Sequence, residues 1–149
     1  MLARTNRLLI DLDPGLFTSC LIAQIDLAQR RAHLAMAGHP PPILRHPDGR
    51  TEVLDVPPGL LLGIDPDVDY PTTEIPLHPG SVLALYTDGL VEIPGIDIED
   101  TTAELARHLA DVEGRTMNDV ADALITYATA SAPSYDDIAL LLIQASPEE

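Results

Sequence analysis

Two short stretches with almost no polar residue limit the possible folds of this chain most. Residues 82–86 read VLALY and residues 138–143 read IALLLI. Apolar runs of this length are typical of central β-strands that are covered on both faces. Apolar residues make up 46% of the chain, which is enough for a packed core and argues against a disordered protein. We therefore predict a globular domain built around two buried strands.

The rest of the sequence predicts further strands, two helices and a helical tail. Apolar alternation and turn signals predict strands or short apolar segments at 17–27, 32–37, 43–46, 50–54, 60–64 and 70–77. The first helix is expected to begin near Thr101, which has capping-box spacing to Glu104, and to stop at Gly114. Thr116 is expected to cap the second helix. Residues 2–10 look like the end of another helix.

The charge of the chain excludes several classes of partner. Eight Arg and no Lys stand against 24 acidic residues, for a net charge of −16. Such a chain repels nucleic-acid phosphates and attracts divalent cations. A single cysteine, Cys20, excludes a disulfide framework and a Cys-rich zinc module. Because the sequence has neither an apolar run of about 18 residues nor a signal peptide, we expect a cytoplasmic protein that binds neither membrane nor nucleic acid.

Carboxylates interrupt the apolar sequence at the ends of both buried runs. Asp88 directly follows the first run in YTDGLVE, and Asp136 and Asp137 directly precede the second. If the two strands are antiparallel neighbours, about 4.8 Å apart, Asp88 and Asp136 lie at the same sheet edge. Clustered carboxylates repel one another, whereas Mg²⁺ or Mn²⁺ prefers such oxygen ligands. Spacing alone leaves a second interpretation open, in which these acids belong to a turn and a strand cap.

Five segments in this order resemble a known enzyme family. They are FTSCLIAQID, AMAGHPPPIL, GLLLGI, PGSVLALYTDGLVE and YDDIALLLI. Together they resemble the metal-dependent protein phosphatases (the PPM or protein phosphatase 2C family), in particular the bacterial SpoIIE/RsbU-like serine phosphatase domain. The resemblance implies an α+β fold, with a two-sheet antiparallel β-sandwich flanked by helices. It also implies a dinuclear Mg²⁺ or Mn²⁺ site, which activates a water for hydrolysis of phosphoserine or phosphothreonine.

The resemblance also implies roles for individual residues. Asp88 and Asp136 match metal ligands, and Asp137 matches a hydrogen-bonding neighbour of the ligands. Gly89 would keep the approach to the metals open, and Glu92 would lie outside the ligand set.

His39 is the one histidine with a candidate role. It matches the family's AGH segment, where it either lies near the mouth of the site or orders its loop, and we favour the loop role. The other four histidines and Cys20 are expected at surface or packing positions.

Two acidic motifs of the family are missing from residues 1–37. The family carries a Gly-Asp segment and an Asp-x-x-Gly-His-Gly segment there, but Asp11, Asp13 and Asp26 stand in other contexts. We therefore interpret residues 1–149 as the C-terminal portion of a single SpoIIE-like domain, with 1–10 as the remnant of a preceding helix. Such a chain is a fragment, a product of a misplaced start codon or a degenerate paralogue.

The missing motifs have consequences for activity and assembly. An incomplete metal site predicts weak or no phosphatase activity for this chain alone. Missing strands predict open sheet edges, through which a homodimer could form. By resemblance, the substrate is a regulatory phosphoprotein such as an anti-anti-sigma factor. The alternatives are a non-catalytic protein-interaction remnant of the same fold and an unrelated acidic β-sandwich.

Overall fold

The computed structural model describes residues 1–111, 115–131 and 136–146. Its helices and strands are, in chain order, α1 (Leu2–Leu12), β1 (Cys20–Asp26), β2 (Arg31–Ala37), β3 (Ile43–Arg45), β4 (Thr51–Val53), β5 (Thr73–Pro76), β6 (Val82–Tyr86), α2 (Ile98–Ala110), α3 (Met117–Ser131) and β7 (Leu140–Gln144). A short 3-10 helix, Asp88–Leu90, follows β6. Of the helices in these described ranges, none is long and apolar enough to cross a bilayer.

The chain divides into two compact units, each with one antiparallel sheet. The first unit comprises Met1–Pro40 and Asp55–Leu77, and its three strands are ordered β1-β2-β5. The second unit comprises Pro41–Leu54 and His78–Glu149, and its four strands are ordered β4-β3-β6-β7. The predicted α+β class with antiparallel sheets is confirmed.

In the second unit, α2 and α3 pack their apolar stripes against the sheet. The buried core residues of this cluster are Ile43, Ala84, Tyr86, Leu90, Val91, Leu105, Ala106, Leu109, Val120 and Leu124. The strand β6 lies between β3 and β7, and four of its five residues are buried, as its apolar run predicted. This core fixes the position at which β6 ends.

The prediction that residues 138–143 are covered on both faces is wrong. The strand β7 begins at Leu140 and lies at the edge of the sheet, paired only with β6 among the strands described. Its Leu141 side chain is 57% exposed. An apolar run shows that a strand can be buried, but it does not show how many neighbours the strand has.

In the first unit, β1 and β2 form a hairpin, and α1 is fastened to a loop. The pairing runs from Cys20 opposite Ala37 to Asp26 opposite Arg31. The buried side chain of Asn6 connects α1 to the loop: its Nδ2 donates to the Asp65 carbonyl, and its Oδ1 accepts from the Gly63 N–H, both at 2.7 Å.

Several predicted strands are shorter in the structure than in the sequence analysis. Residues 17–19 precede β1. The short apolar segment at 60–64 forms no strand, and a single β-bridge joins Leu62 to Thr18. The predicted strand at 70–77 is reduced to β5. Apolar residues in these loops therefore extended the predicted strands beyond their backbone pairing.

The start of α2 also differs from the prediction. Asp97 is the N-cap, and its side chain accepts from the Glu99 N–H at 2.9 Å. Thr101 lies inside the helix, where its buried hydroxyl donates to the Val91 carbonyl at 2.5 Å. The predicted capping box at Thr101 is therefore wrong, because an aspartate four residues earlier caps the helix.

The start of α3 agrees with the prediction. The Asp119 N–H donates to the Thr116 hydroxyl at 3.2 Å, and that hydroxyl donates to the Asp119 carboxylate at 2.7 Å. The predicted stop signal, Gly114, lies outside the described residues.

Candidate functional site

The pairing of β6 with β7 brings the two acidic segments to the same end of the sheet, where β6 ends and β7 begins. This end of the two strands is the sheet edge referred to below. The regular ladder ends where Tyr86 lies opposite Leu140. Beyond it, Thr87 donates its N–H to the Ala139 carbonyl at 3.0 Å, and its hydroxyl accepts the Ala139 N–H at 2.9 Å. The same hydroxyl donates to the Asp137 carbonyl at 3.2 Å. Thr87, which the sequence analysis overlooked, therefore ties the segment before β7 to the end of β6.

Asp88 is held in a tight turn directly after this tie. Its carbonyl accepts the N–H groups of Val91 at 2.9 Å and Glu92 at 2.7 Å. Its half-buried carboxylate accepts the Gly89 N–H at 3.0 Å through Oδ1. Both backbone and side chain of Asp88 are therefore oriented by local hydrogen bonds.

Gly89 lies against the backbone of the second acidic segment. A Cβ at this position would be 2.6 Å from the Asp137 carbonyl oxygen and 3.2 Å from that of Asp136. The first distance is shorter than a van der Waals contact, so a side chain would push the two segments apart. The lack of a side chain at Gly89 therefore allows these two segments to lie in contact. Its role in keeping the approach to the metals open stays a prediction.

Asp136 and Asp137 are both exposed. The Asp137 N–H donates to Asp136 Oδ1 at 2.7 Å, the same type of contact that Gly89 makes with Asp88. The structure thus brings Asp88, Gly89, Asp136 and Asp137 to one edge, with Thr87 beside them.

The oxygen atoms at this edge are of the kind that binds a hard divalent cation, but too few of the described side chains converge there to hold one. Carboxylate and carbonyl oxygens are the ligands that Mg²⁺ and Mn²⁺ prefer. Within residues 1–111, 115–131 and 136–146, however, no three His, Cys, Asp or Glu side chains converge on a point that could hold a metal ion. The described residues by themselves therefore form no three-ligand site, and the assignment of Asp88 and Asp136 as metal ligands stays a prediction.

A surface depression adjoins this edge, and the sequence analysis did not predict it. Gly89, Glu92 and Asp136 line one part, and Ile93, Ile96 and Ile98 contribute the apolar part. The three isoleucines stand in the sequence IPGIDI at residues 93–98 and form no recognisable motif. The only sequence signal is their position between a metal-site motif and a helix cap.

His39 lies in the first unit and is partly buried. Its Nδ1 is 2.9 Å from the carbonyl oxygen of Pro40, a contact within its own loop. Burial raises the pKa of the Cys20 thiol, which disfavours a nucleophilic thiolate.

Comparison with protein families gives one match over nearly the whole chain. The sequence model of the family described as stage II sporulation protein E (SpoIIE) matches residues 1–146.

Comparison with solved structures gives the same fold. The RsbU and RsbW domains of a Mycobacterium tuberculosis protein match 97% of this chain at 26% identity, with a TM-score of 0.84, over 41% of their own length. The SiaA-PP2C domain of Pseudomonas aeruginosa matches 96% at 23% identity and TM-score 0.77, over 58% of its length. The phosphatase domain of SpoIIE from Bacillus subtilis matches 89% at 16% identity and TM-score 0.72, also over 58%. The chain thus spans about two fifths to three fifths of these structures.

Proposed function

This chain belongs to the SpoIIE family, and from that premise we propose that it contributes two metal ligands, Asp88 and Asp136, to a phosphoprotein phosphatase site. The fold and the family are those of a serine/threonine phosphatase domain of the protein phosphatase 2C type. The observation that supports the two ligands most directly is the tie between Thr87 and residues 137–139, which holds both aspartates at one sheet edge.

The mechanism follows from what these residues can do. A bound Mg²⁺ or Mn²⁺ pair supplies Lewis-acid chemistry that activates a water for attack on a phosphate ester. Asp88 and Asp136 would hold the cations, because each carboxylate is already oriented by the N–H of the next residue. We propose Asp137 as a positioning residue rather than a ligand, and the hydrogen bond from the Thr87 hydroxyl to its backbone carbonyl supports this role.

We propose that the chain alone has weak phosphatase activity or none. Two carboxylates neutralise too little of the charge of two divalent cations, and the described residues supply no third convergent group. We further propose that the substrate is a regulatory phosphoserine or phosphothreonine protein of the anti-anti-sigma type, and that the reaction takes place in the cytoplasm. The substrate class follows from the resemblance to SpoIIE/RsbU-like phosphatases, and the location is the expectation of the sequence analysis.

The second candidate function is a non-catalytic protein-interaction remnant of the same fold. The lack of a three-ligand cluster among the described residues favours it. In that case the edge at Asp88 and Asp136 would be structurally intact but would not bind metal.

Titration with Mn²⁺ separates the two functions. The chain and an N-terminally extended form from the same gene are titrated by calorimetry and assayed with p-nitrophenyl phosphate. We expect weak binding and little turnover for the chain, and clear turnover for the extended form. Asp88→Asn and Asp136→Asn should each reduce both the Mn²⁺ affinity and the rate of the extended form by at least about tenfold, since each removes an anionic ligand.

The matched control is Asp122→Asn, which removes one negative charge from an exposed position on α3. It should leave affinity and rate within about twofold of the parent, as expected for a surface charge. An extended protein that binds no Mn²⁺ would favour the interaction remnant. Turnover that survives both aspartate substitutions would contradict the proposed ligands.

A further inference from the structure

The depression beside the proposed metal edge combines two carboxylates, Glu92 and Asp136, with a wall of isoleucine side chains. Ile96 and Ile98 are 53% and 46% exposed, although isoleucine is usually buried in a domain of this size. Glu92 is exposed at the same depression. Such a surface matches a ligand group that is apolar along its length and charged at its end.

The sign of the charge is fixed by the surrounding sequence. Residues 88–104 contain six acids and neither Arg nor Lys. Of the described residues that line the depression, two are carboxylates, Glu92 and Asp136, and none is Arg or Lys, so an anionic group would be repelled and a cationic group attracted.

The isoleucine segment is anchored at both ends, so its shape is set before any ligand arrives. On one side, the Glu92 N–H donates to the Asp88 carbonyl at 2.7 Å. Within the segment, the Ile96 N–H donates to the Ile93 carbonyl at 3.1 Å. On the other side, Asp97 caps α2 through the Glu99 N–H. A surface ordered in this way loses little conformational entropy on binding.

The depression is also continuous with the proposed metal edge. Gly89 and Asp136 line it together with Glu92. A polypeptide whose phosphoserine reached Asp136 would therefore place a neighbouring side chain over the isoleucines.

We infer that this depression is a specificity site for the substrate, and that it accepts an arginine close to the phosphoserine. The aliphatic part of the arginine would pack on Ile96 and Ile98, and its guanidinium would meet the Glu92 carboxylate. This inference rests on the proposed function, because it takes the phosphate to be bound at the neighbouring edge.

Peptide binding tests the inference without relying on turnover. The affinity of fluorescent phosphoserine peptides is measured by fluorescence anisotropy, both for the N-terminally extended form used above and for the present chain. They carry Arg, norleucine, Ala or Glu at one to three positions from the phosphoserine on either side. Norleucine has an apolar chain without the charge. We expect the order Arg, norleucine, Ala, Glu, with about tenfold between the first and the last.

Two variants separate the apolar and the charged contributions. Glu92→Gln should reduce the affinity for the Arg peptide by about three- to fivefold, as expected for the loss of one exposed ion pair. The affinity for the norleucine peptide should not change. Ile96→Ala should reduce the affinity for the Arg peptide and the affinity for the norleucine peptide by the same factor, because it removes apolar contact area that both peptides use. The control is Glu99→Gln, which makes the same charge change outside the lining of the depression and should alter neither.

Each outcome decides one of the two proposals. If the peptides bind and are hydrolysed with no preference for Arg, or if Glu99→Gln reduces the preference as much as Glu92→Gln does, the specificity site is wrong and the phosphatase assignment stands. If the Arg preference depends on Glu92 but phosphorylation adds nothing to binding and no peptide is hydrolysed, the proposed phosphatase function is wrong. No binding of any peptide would overturn the specificity site.

Discussion

The two units of this molecule are stabilised in different ways. In the second unit, residues from β3, β6, α2 and α3 form one contiguous buried aliphatic cluster. In the first unit, the cluster around α1 contains three buried residues, Leu2, Ala37 and Leu62. There, α1 depends on the polar side chain of Asn6, and apolar residues such as Leu12 at the end of α1 and Phe17 in the following loop are largely exposed.

This difference explains where the candidate ligands lie. Asp88 and Asp136 are at the edge of the sheet that has the large aliphatic core, and a dense core keeps the end of each strand in place. In the first unit, the attachment of α1 to its loop relies on the two hydrogen bonds of the Asn6 side chain. The comparison predicts large effects for core changes in the second unit and smaller, local effects in the first.

The largest effect is expected from Leu109→Ala in α2. Leu109 is 0% exposed within the second core. Removing its side chain should lower the free energy of unfolding by about 2–5 kcal/mol, the usual range for a buried leucine. Urea denaturation measures the change. The comparator, Leu8→Ala, shortens an exposed leucine of α1 and should change stability by less than about 0.5 kcal/mol. Equal losses in the two variants would contradict the difference between the units.

The next effect is expected from Gly89→Ala at the candidate site. The added Cβ would lie 2.6 Å from the Asp137 carbonyl oxygen, so the end of β6 and the segment before β7 must separate. We expect a loss of about 1–3 kcal/mol, as for overpacking elsewhere. Hydrogen exchange at the Thr87 and Ala139 amides should accelerate, because these amides join the two segments.

Gly15→Ala is the control for backbone strain. Gly15 has a φ of +96°, but a Cβ there would meet no atom within 4 Å. This variant should lose some stability in the first unit and leave exchange at Thr87 and Ala139 unchanged. Unchanged exchange in Gly89→Ala would mean that the two segments are not held in contact at this point.

A smaller and more local effect is expected from Asn6→Ala in the first unit. The change removes both partners of the loop, the Gly63 N–H and the Asp65 carbonyl. Leaving buried backbone groups without partners costs about 1–3 kcal/mol. Exchange of the Gly63 amide should become much faster. Asn118→Ala, at an exposed position of α3, should affect neither stability nor that amide, and a similar effect of both variants would show that the anchor contributes little.

The sequence predicted the second unit better than the first for a physical reason. Burial on both faces leaves a continuous apolar run, which located β6, and the acids at the ends of the two runs identified the edge. The pairing of residues 138–143 was also found, but not the exposure of Leu141, because the number of strand neighbours depends on the whole sheet. The depression at Ile93, Ile96 and Ile98 was missed, because contacts between loop residues have no periodic signal.

The smallest effect at neutral pH is expected from Tyr86→Phe in β6. Its hydroxyl donates to the Pro41 carbonyl at 2.6 Å, a bond worth about 1 kcal/mol net. Tyr86 is 3% exposed, and burial raises its pKa to about 12, against a smaller lowering by the Thr102 hydroxyl. Because an unfolded tyrosine has a pKa of about 10, the folded state holds this proton more tightly.

The sign of the pH dependence follows directly. The stabilisation from protonated Tyr86 is complete below pH 10 and is lost as the pH rises towards 12. At pH 11 the wild type should have lost roughly 1.4 kcal/mol relative to Tyr86→Phe, so the two proteins should become about equally stable there.

Tyr70→Phe in the first unit is the comparator, since the Tyr70 hydroxyl has no hydrogen-bond partner within the described structure and its removal at pH 8 should cost nothing. Urea denaturation at pH 8 and pH 11 measures these differences. A wild-type advantage over Tyr86→Phe that stays constant between the two pH values would mean that the phenol is not buried in the second core.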